Sequence, residues 1–322
     1  MTRKILIDTD PGIDDAFALM FALNYEGFDI QGITTVTGNS SIEMVTENTL
    51  KLVSYANRED IKVYKGMDKP LVKEASVDDS CHGKDGLGDI NLNLSHGKAE
   101  DIHAVDYIIN AADKYGNELE IITLGPLTNI ATAIKKNPVA MGKVHKIVSM
   151  GGGVLNGNVT PVAEFNYWAD PEAAKIVYDF TIPIVMVGIN VTEKSLFTLE
   201  EFEFMKKLDT KIGNLLFEMQ KGYSDYYWKV SGIKGCYIHD LLAMVIAADS
   251  SIATGISCNV DIATESITRG ECLVDLVDAW GKRKNAYVIT DFNLLKYKSL
   301  FFSTIFPSNK EECIKFLETK SL

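Results

Sequence analysis

The chain has 322 residues and a formal net charge of −12 at neutral pH, with 46% hydrophobic and 24% charged residues. These proportions are typical of a soluble globular protein with a sizeable core, and they exclude a disordered or collagen-like chain. The acidic balance and the scattered basic residues argue against nucleic acid as a partner. The apolar run before Asp8 is too short for a signal peptide or membrane helix, and five cysteines form no CxxC pair. We therefore expect a cytoplasmic protein with no membrane partner.

Short apolar runs alternate with longer amphipathic runs along the first 190 or so residues of the sequence. In chain order we predict strands at 4–8, 30–36, 62–64, 119–124, 146–150 and 184–189, and helices at 14–25, 42–56, 102–115, 129–136 and 171–178. Helices at 199–208, 212–227 and 239–248 then precede strands at 257–264, 271–277 and 286–290. The pattern predicts an α/β fold: one open, mostly parallel sheet flanked by helices, with a C-terminal helical and antiparallel extension, in a single domain spanning 1–322.

The first predicted strand ends in D-T-D-P-G-I-D-D-A, which places four aspartates within eight residues. Asp14 and Asp15 could simply favour the positive end of the helix that they open. That explanation does not cover Asp8 and Asp10, because unpaired charges buried at a strand end cost several kcal/mol each. A divalent cation would resolve the repulsion, and carboxylate oxygens are its preferred ligands. The run therefore predicts a metal site.

Two further segments could also contribute to a metal site, but each has a simpler structural interpretation. His239 and Asp240 stand side by side at a predicted helix start, either as a structural histidine with a helix-start acid or as a proton donor with a metal ligand. The run from Leu124 to Asn129 follows a strand. It could be a tight turn capped by Thr128, or it could expose the Leu124 carbonyl oxygen as a metal ligand.

A glycine-marked segment begins at Met150 and carries Asn158, Glu164 and Asn166, which suit hydrogen bonds with hydroxyl groups. It matches neither G-x-G-x-x-G nor the Walker A sequence, so a nucleotide-phosphate site has no support. A second glycine-rich loop carries His82, and its glycines allow close approach of backbone to a ligand.

Taken together, these motifs resemble the inosine–uridine type of nucleoside hydrolase, in the family's order and spacing from about residue 5 to residue 250. The resemblance implies an open α/β fold, bound Ca²⁺, a small-molecule nucleoside as substrate, a homodimer or homotetramer, and hydrolysis of the bond between ribose and a nucleobase. It also implies roles for individual residues: calcium ligands at Asp10, Asp15, Asp240 and the Leu124 carbonyl; a water-activating base at Asp14; a leaving-group acid at His239; ribose contacts from Asn39, Met150, Asn158, Glu164 and Asn166; His82 and Phe165 near the base; and Tyr223 or Tyr227 closing the site.

The chemistry of the reaction agrees with these roles. Cleavage builds positive charge on ribose, which nearby carboxylates stabilise, and the departing base needs a proton. Attack by water with a carboxylate base implies single displacement and inversion. The presence of both His82 and His239 favours pyrimidine nucleosides. Two alternatives stay open: an aspartyl phosphatase of the haloacid dehalogenase type, which also begins with a D-x-D strand end, and a calcium-dependent nucleoside-binding protein without turnover.

Overall fold

The computed structural model describes residues 2–75, 81–94 and 96–320. The strands are β1 (Arg3–Thr9), β2 (Phe28–Thr35), β3 (Val63–Lys65), β4 (Leu119–Thr123), β5 (Lys146–Met150), β6 (Ile184–Val187), β7 (Leu196–Thr198), β8 (Gly235–Tyr237), β9 (Ala253–Ile262), β10 (Cys272–Asp275) and β11 (Ala286–Phe292). The helices are α1 (Ile13–Asn24), α2 (Ile42–Tyr55), α3 (Ala104–Tyr115), α4 (Thr128–Lys136), α5 (Pro138–Met141), α6 (Phe165–Ala169), α7 (Pro171–Asp179), α8 (Ile189–Thr192), α9 (Leu199–Lys207), α10 (Lys211–Ser231), α11 (His239–Ala248), α12 (Leu294–Ile305) and α13 (Lys310–Glu318).

Nine strands form one sheet in the spatial order β10-β9-β11-β6-β5-β4-β1-β2-β3, and β7 pairs with β8 separately. The strands from β11 to β3 run parallel, whereas β9 and β10 are antiparallel to their neighbours. The chain moves outward from β1 to β3 on one side and from β4 to β6 on the other. The strand order therefore reverses between β1 and β4, which is where open α/β sheets bind ligands beyond the carboxyl ends of their strands.

Helices cover both faces of this sheet and bury a core on each. One core includes side chains of α1, α10, α11 and α12, and the other includes those of α3, α4 and α7. Eleven of the twelve residues of α1 are buried, so this helix lies inside the protein rather than on its surface. As a result, Asp14 and Asp15 in its first turn are interior charges. None of the described helices has the length and apolar character needed to cross a membrane.

The predicted fold class is confirmed, with three local corrections. The strand predicted at 286–290 was assigned to an antiparallel extension. In the structure it is β11, which pairs antiparallel with β9 and also runs parallel to β6 inside the main sheet. The strand predicted at 184–189 ends at Val187, because Gly188 leads the chain into the short helix α8. Helices α12 and α13 were not predicted. They form because buried aromatic side chains, Phe301 and Phe302 among them, complete the core around α1.

Asp170 caps α7 at its N-terminus and also joins it to two other segments. Its Oδ1 accepts a hydrogen bond from the Ala173 N–H (3.0 Å), and its Oδ2 accepts from the Leu71 N–H (2.9 Å) and the Thr128 hydroxyl (2.7 Å). The interpretation in which Thr128 caps the helix after its turn is therefore wrong. Leu127 precedes that helix instead, without a side-chain hydrogen bond. The fully buried carboxylate of Asp170 fixes α7 against α4.

We expect Asp170→Ala to lower the free energy of unfolding by about 2–4 kcal/mol, because three buried donors lose their acceptor. Urea denaturation followed by circular dichroism measures this loss. The matched control is Ser41→Ala, which removes an exposed N-cap with one weak hydrogen bond of 3.4 Å and should cost no more than about 1 kcal/mol. Equal losses in the two variants would contradict the joining role of Asp170.

Candidate active site

Carboxylates from three parts of the chain meet beyond the carboxyl end of β1. Asp10 follows that strand, Asp14 and Asp15 lie in the first turn of α1, and Asp240 lies in the first turn of α11. All four are buried. Asp14, Asp15 and Asp240 can each place an oxygen within 4.8 Å of the other two. This closest group includes Asp14, predicted as the base, and does not include Asp10, predicted as a ligand.

Asp15 is the most firmly held of these carboxylates. Its Oδ1 accepts from the Thr9 hydroxyl (2.5 Å), and its Oδ2 accepts from the Gly12 N–H (3.0 Å) and the Asn39 side-chain amide (3.1 Å). The backbone N–H of Asn39 donates to Asp10 Oδ2 at 2.8 Å. Asn39, predicted as a ribose contact, therefore also fixes the spacing of two of the acids.

The remaining carboxylates each have one oxygen that accepts no hydrogen bond from the described residues. Oδ1 of Asp10, of Asp14 and of Asp240 is buried without a hydrogen-bond partner. Burial, followed by repulsion from Asp15, raises the pKa of Asp14 to about 7 and the pKa values of Asp10 and Asp240 well above their usual range. A divalent cation would satisfy these oxygens and remove the repulsion. The cluster therefore fits a metal ion held by oxygen ligands.

The Leu124 carbonyl lies at the same edge of the sheet, directly after β4. It accepts a hydrogen bond of 2.6 Å from the side-chain amide of Asn166, which also donates to the Met150 carbonyl at 3.3 Å. These three residues line one cavity together with Asp14 and Asp240. The structure thus brings the predicted carbonyl ligand to the predicted acids.

Asp8, the first acid of the run, lies outside this group. It does not line the cavity, and its Oδ1 accepts from the Thr34 hydroxyl (2.5 Å) and the Asn129 amide (2.8 Å). Asn129 also donates to the Thr35 carbonyl at 2.9 Å. Burial raises the pKa of Asp8 to about 7. Asp8 is therefore a structural residue that joins β1, β2 and α4.

A cavity of about 290 Å³ opens above the acids. All the predicted site residues line it except Asp10 and Asp15, which lie buried beside it. The predicted residues in its wall are Asp14, Asn39, His82, Leu124, Met150, Asn158, Glu164, Phe165, Asn166, Tyr223, Tyr227, His239 and Asp240. Sequence analysis did not identify Cys81, Val159, Ile189, Glu193, Tyr226, Val230 and Ser231, which also line it. These are mostly residues without a distinctive motif, on loops and at the end of α10.

One wall of the cavity is built by Glu164 and the glycine segment. Glu164 caps α6, accepting from the Asn166 N–H at 2.8 Å through Oε1 and from the Gly152 N–H at 2.7 Å through Oε2. Burial raises the pKa of Glu164 to about 7 against these hydrogen bonds. Gly152 has a φ of +67°, and a Cβ there would lie 2.4 Å from Cys272 Sγ. The glycine is therefore needed for the close approach that positions Glu164.

His82 contacts the start of α1 beside the acids. Its Nδ1 accepts the Ile13 N–H at 3.1 Å and lies 4.0 Å from Asp14 Oδ1. The ring centroids of His82 and Tyr223 are 5.3 Å apart. Because Nδ1 is an acceptor here, the proton of neutral His82 lies on Nε2. His82 thus caps a helix as well as lining the cavity.

His239 and Tyr227 form a hydrogen-bonded pair in the wall of the same cavity. The Tyr227 hydroxyl is 2.8 Å from His239 Nε2, and the Thr192 hydroxyl is 2.7 Å from His239 Nδ1. Burial, aided by the nearby His82, lowers the pKa of His239 to about 4. Tyr223, four residues before Tyr227 on α10, packs edge-on against it with ring centroids 5.1 Å apart. Thr192 was not predicted, because no local motif marks it.

Comparison with known proteins identifies the family. The family model described as "Inosine-uridine preferring nucleoside hydrolase" matches residues 5–299. A "Probable uridine nucleosidase 2" from Arabidopsis thaliana is 37% identical over 275 residues, covering 84% of this chain and 85% of that protein.

Two solved structures support the same family assignment. A plant nucleoside hydrolase has a TM-score of 0.92 at 35% identity, covering 95% of this chain and 99% of the other. A purine-preferring ribonucleoside hydrolase from Gardnerella vaginalis has a TM-score of 0.90 at 33% identity, covering 96% of this chain and all (100%) of the other. The chain belongs to the inosine–uridine preferring nucleoside hydrolase family of enzymes.

Proposed function

We propose that the protein hydrolyses the N-glycosidic bond of ribonucleosides with the help of calcium and prefers pyrimidine nucleosides. One observation carries the proposal: a single cavity is lined by buried carboxylates with unpartnered oxygens, Asp14 and Asp240, and by the hydrogen-bonded His239–Tyr227 pair. The negative charge of the carboxylates suits a ribose that becomes cationic as the bond breaks. A pair of N–H and O–H groups suits a base that becomes anionic.

One group of residues binds the cation and activates water. Asp10, Asp15, Asp240 and the Leu124 carbonyl would hold calcium, which supplies a positive charge that orients ribose hydroxyls and polarises water. Asp14 lines the cavity with one unpartnered oxygen, so it can take a proton from the attacking water. The water oxygen then bonds to the anomeric carbon in a single displacement, which inverts the configuration there.

The His239–Tyr227 pair serves the leaving base. The C–N bond breaks with its electron pair going to the base nitrogen, and the His239–Tyr227 pair supplies the proton that neutralises it. Since His239 is buried and its pKa is low, its imidazole is neutral at pH 7 and acts together with the Tyr227 hydroxyl. Asp14 then releases its proton to solvent and the His239–Tyr227 pair regains one from solvent, so water is the only co-reactant consumed.

Neither alternative from the sequence fits as well. A phosphatase of the haloacid dehalogenase type needs the first aspartate of its D-x-D as nucleophile, and Asp8 lies outside the cavity with one oxygen bonded to Thr34 and Asn129. A calcium-dependent binding protein would need neither Asp14 nor the His239–Tyr227 pair beside its ligand. The preference for pyrimidines rests on the two cavity histidines and on similarity to a uridine nucleosidase. Similarity to a purine-preferring enzyme favours purine nucleosides instead. A homo-oligomer and a cytoplasmic location stay predictions.

We expect the purified protein to release uracil from uridine with a higher kcat/KM than it releases hypoxanthine from inosine. Asp14→Asn should lower kcat for both by about 10² to 10⁴-fold, because the amide cannot accept a proton from water. The matched control is Asp225→Asn, an exposed position on α10 outside the cavity. Near-normal turnover of Asp14→Asn would assign Asp14 a purely structural role, and faster release of hypoxanthine would reverse the base preference.

We expect the active protein to contain about one calcium ion per chain, because the cluster offers only hard oxygen ligands. Removal by a chelator should abolish most of the activity, and added Ca²⁺ should restore it. Asp240→Asn should weaken calcium binding in titration calorimetry, whereas Asp249→Asn, an exposed acid just after α11, should not. Full activity with stoichiometric zinc and no calcium would contradict the assignment.

We expect His239→Ala to slow uridine hydrolysis by about 10² to 10⁴-fold and to slow p-nitrophenyl riboside much less. The reason is that p-nitrophenolate leaves without a proton, whereas uracil needs one. Steady-state kinetics with both substrates measures the two ratios. Equal slowing of both substrates would show that His239 does not serve the leaving group.

A further inference from the structure

The imidazole of His239 is held at both of its nitrogens. Nε2 faces the Tyr227 hydroxyl at 2.8 Å, and Nδ1 faces the Thr192 hydroxyl at 2.7 Å. Which nitrogen of a histidine carries a proton, and how the ring is turned, depends on the partner of the other nitrogen. The partner at Nδ1 therefore decides what Nε2 presents to the cavity.

Thr192 is rigidly placed to act as that partner. It is fully buried at the end of α8, the short helix that follows β6. Its N–H donates to the Gly188 carbonyl at 3.1 Å, and its carbonyl accepts from the N–H (3.0 Å) and the hydroxyl (2.6 Å) of Ser195. Because the backbone on both sides is bonded, the hydroxyl of Thr192 has a fixed position relative to the sheet.

We propose that Thr192 is a positioning residue for the leaving-group end of the site, which holds the His239 ring so that Nε2 meets Tyr227 at the cavity. The inference rests on the proposed function and adds a residue to it. Thr192 is absent from the cavity wall, so it acts on the substrate only through His239.

The chemistry of the side chain makes the role specific to a hydroxyl. A hydroxyl can donate to Nδ1 or accept from it, whereas a valine of nearly the same shape can do neither. Loss of this bond would leave a buried ring nitrogen without a partner and let the imidazole turn away from Tyr227. The damage should appear in the step that protonates the base, and the carboxylates should be unaffected.

The test compares Thr192→Val with Thr192→Ser on uridine and p-nitrophenyl riboside. We expect Thr192→Val to lower kcat for uridine by about 10 to 100-fold, a typical effect for loss of a supporting partner, and to lower kcat for p-nitrophenyl riboside less than threefold or so. Thr192→Ser keeps the hydroxyl and should restore most of the uridine rate. Calcium binding measured by calorimetry should be unchanged in both variants.

A buried threonine elsewhere controls for loss of stability. Thr49 is fully buried in α2, and its hydroxyl donates to the Val45 carbonyl at 2.7 Å. Thr49→Val should therefore leave kcat for uridine and kcat for p-nitrophenyl riboside at their wild-type values. Equal slowing of the two substrates in Thr192→Val, or failure of Thr192→Ser to rescue uridine, would overturn the inference. If Thr192→Val does not fold, the difference between Thr192→Ser and Thr192→Ala on uridine decides the same question. A wild-type protein that hydrolyses neither substrate would instead refute the proposed function.

Discussion

Like charges packed in the interior of the protein are the constraint on which the rest of the structure depends. Asp10, Asp14, Asp15 and Asp240 are all buried, and burial and mutual repulsion make the ionised form of these carboxylates costly. The fold brings them together because α1 lies between the sheet and other helices, with its first turn beyond the end of β1. Such an arrangement is stable only with protons or a cation in place. A cation bound by these carboxylates would therefore also stabilise the fold.

A second feature is that one cavity combines acidic side chains with a hydrogen-bonded histidine–tyrosine pair. The wall carries the carboxylates of Asp14 and Asp240 together with the buried His239 and the half-buried Tyr227, which are hydrogen-bonded to each other. As an N-glycosidic bond breaks, ribose becomes cationic and the base anionic. The site thus matches the charge distribution of the transition state better than that of the nucleoside, which is the requirement for catalysis by preorganised groups.

Much of this arrangement could be predicted from the sequence because it lies in short segments that follow strands. The run from Asp8 to Asp15 predicted a cluster of acids suited to a metal at the end of β1, and the alternation of short apolar runs with longer amphipathic runs predicted most of the sheet and its helices. The run by itself does not separate the roles of Asp8 and Asp10, which both lie at the end of the same strand. The family resemblance assigned only Asp10 as a ligand, and tertiary contacts with Thr34 and Asn129 single out Asp8 as structural.

Other features depend on contacts between distant parts of the chain. Thr192 meets His239 only after α8 and α11 pack together, and no local motif marks it. Helices α12 and α13 are held by aromatic residues that fill the core beside α1, so their formation is decided by tertiary packing. The same holds for β11, whose parallel pairing with β6 is not encoded by its own alternation.

The most direct test of the account is a proton NMR time course of uridine with the calcium-loaded protein in phosphate-free buffer. Single displacement by water predicts that free uracil and the α anomer of ribofuranose appear together, before mutarotation produces the other forms of the sugar. Release of the β anomer first would indicate a double displacement. An absence of uracil until phosphate is added would show that water is not the nucleophile.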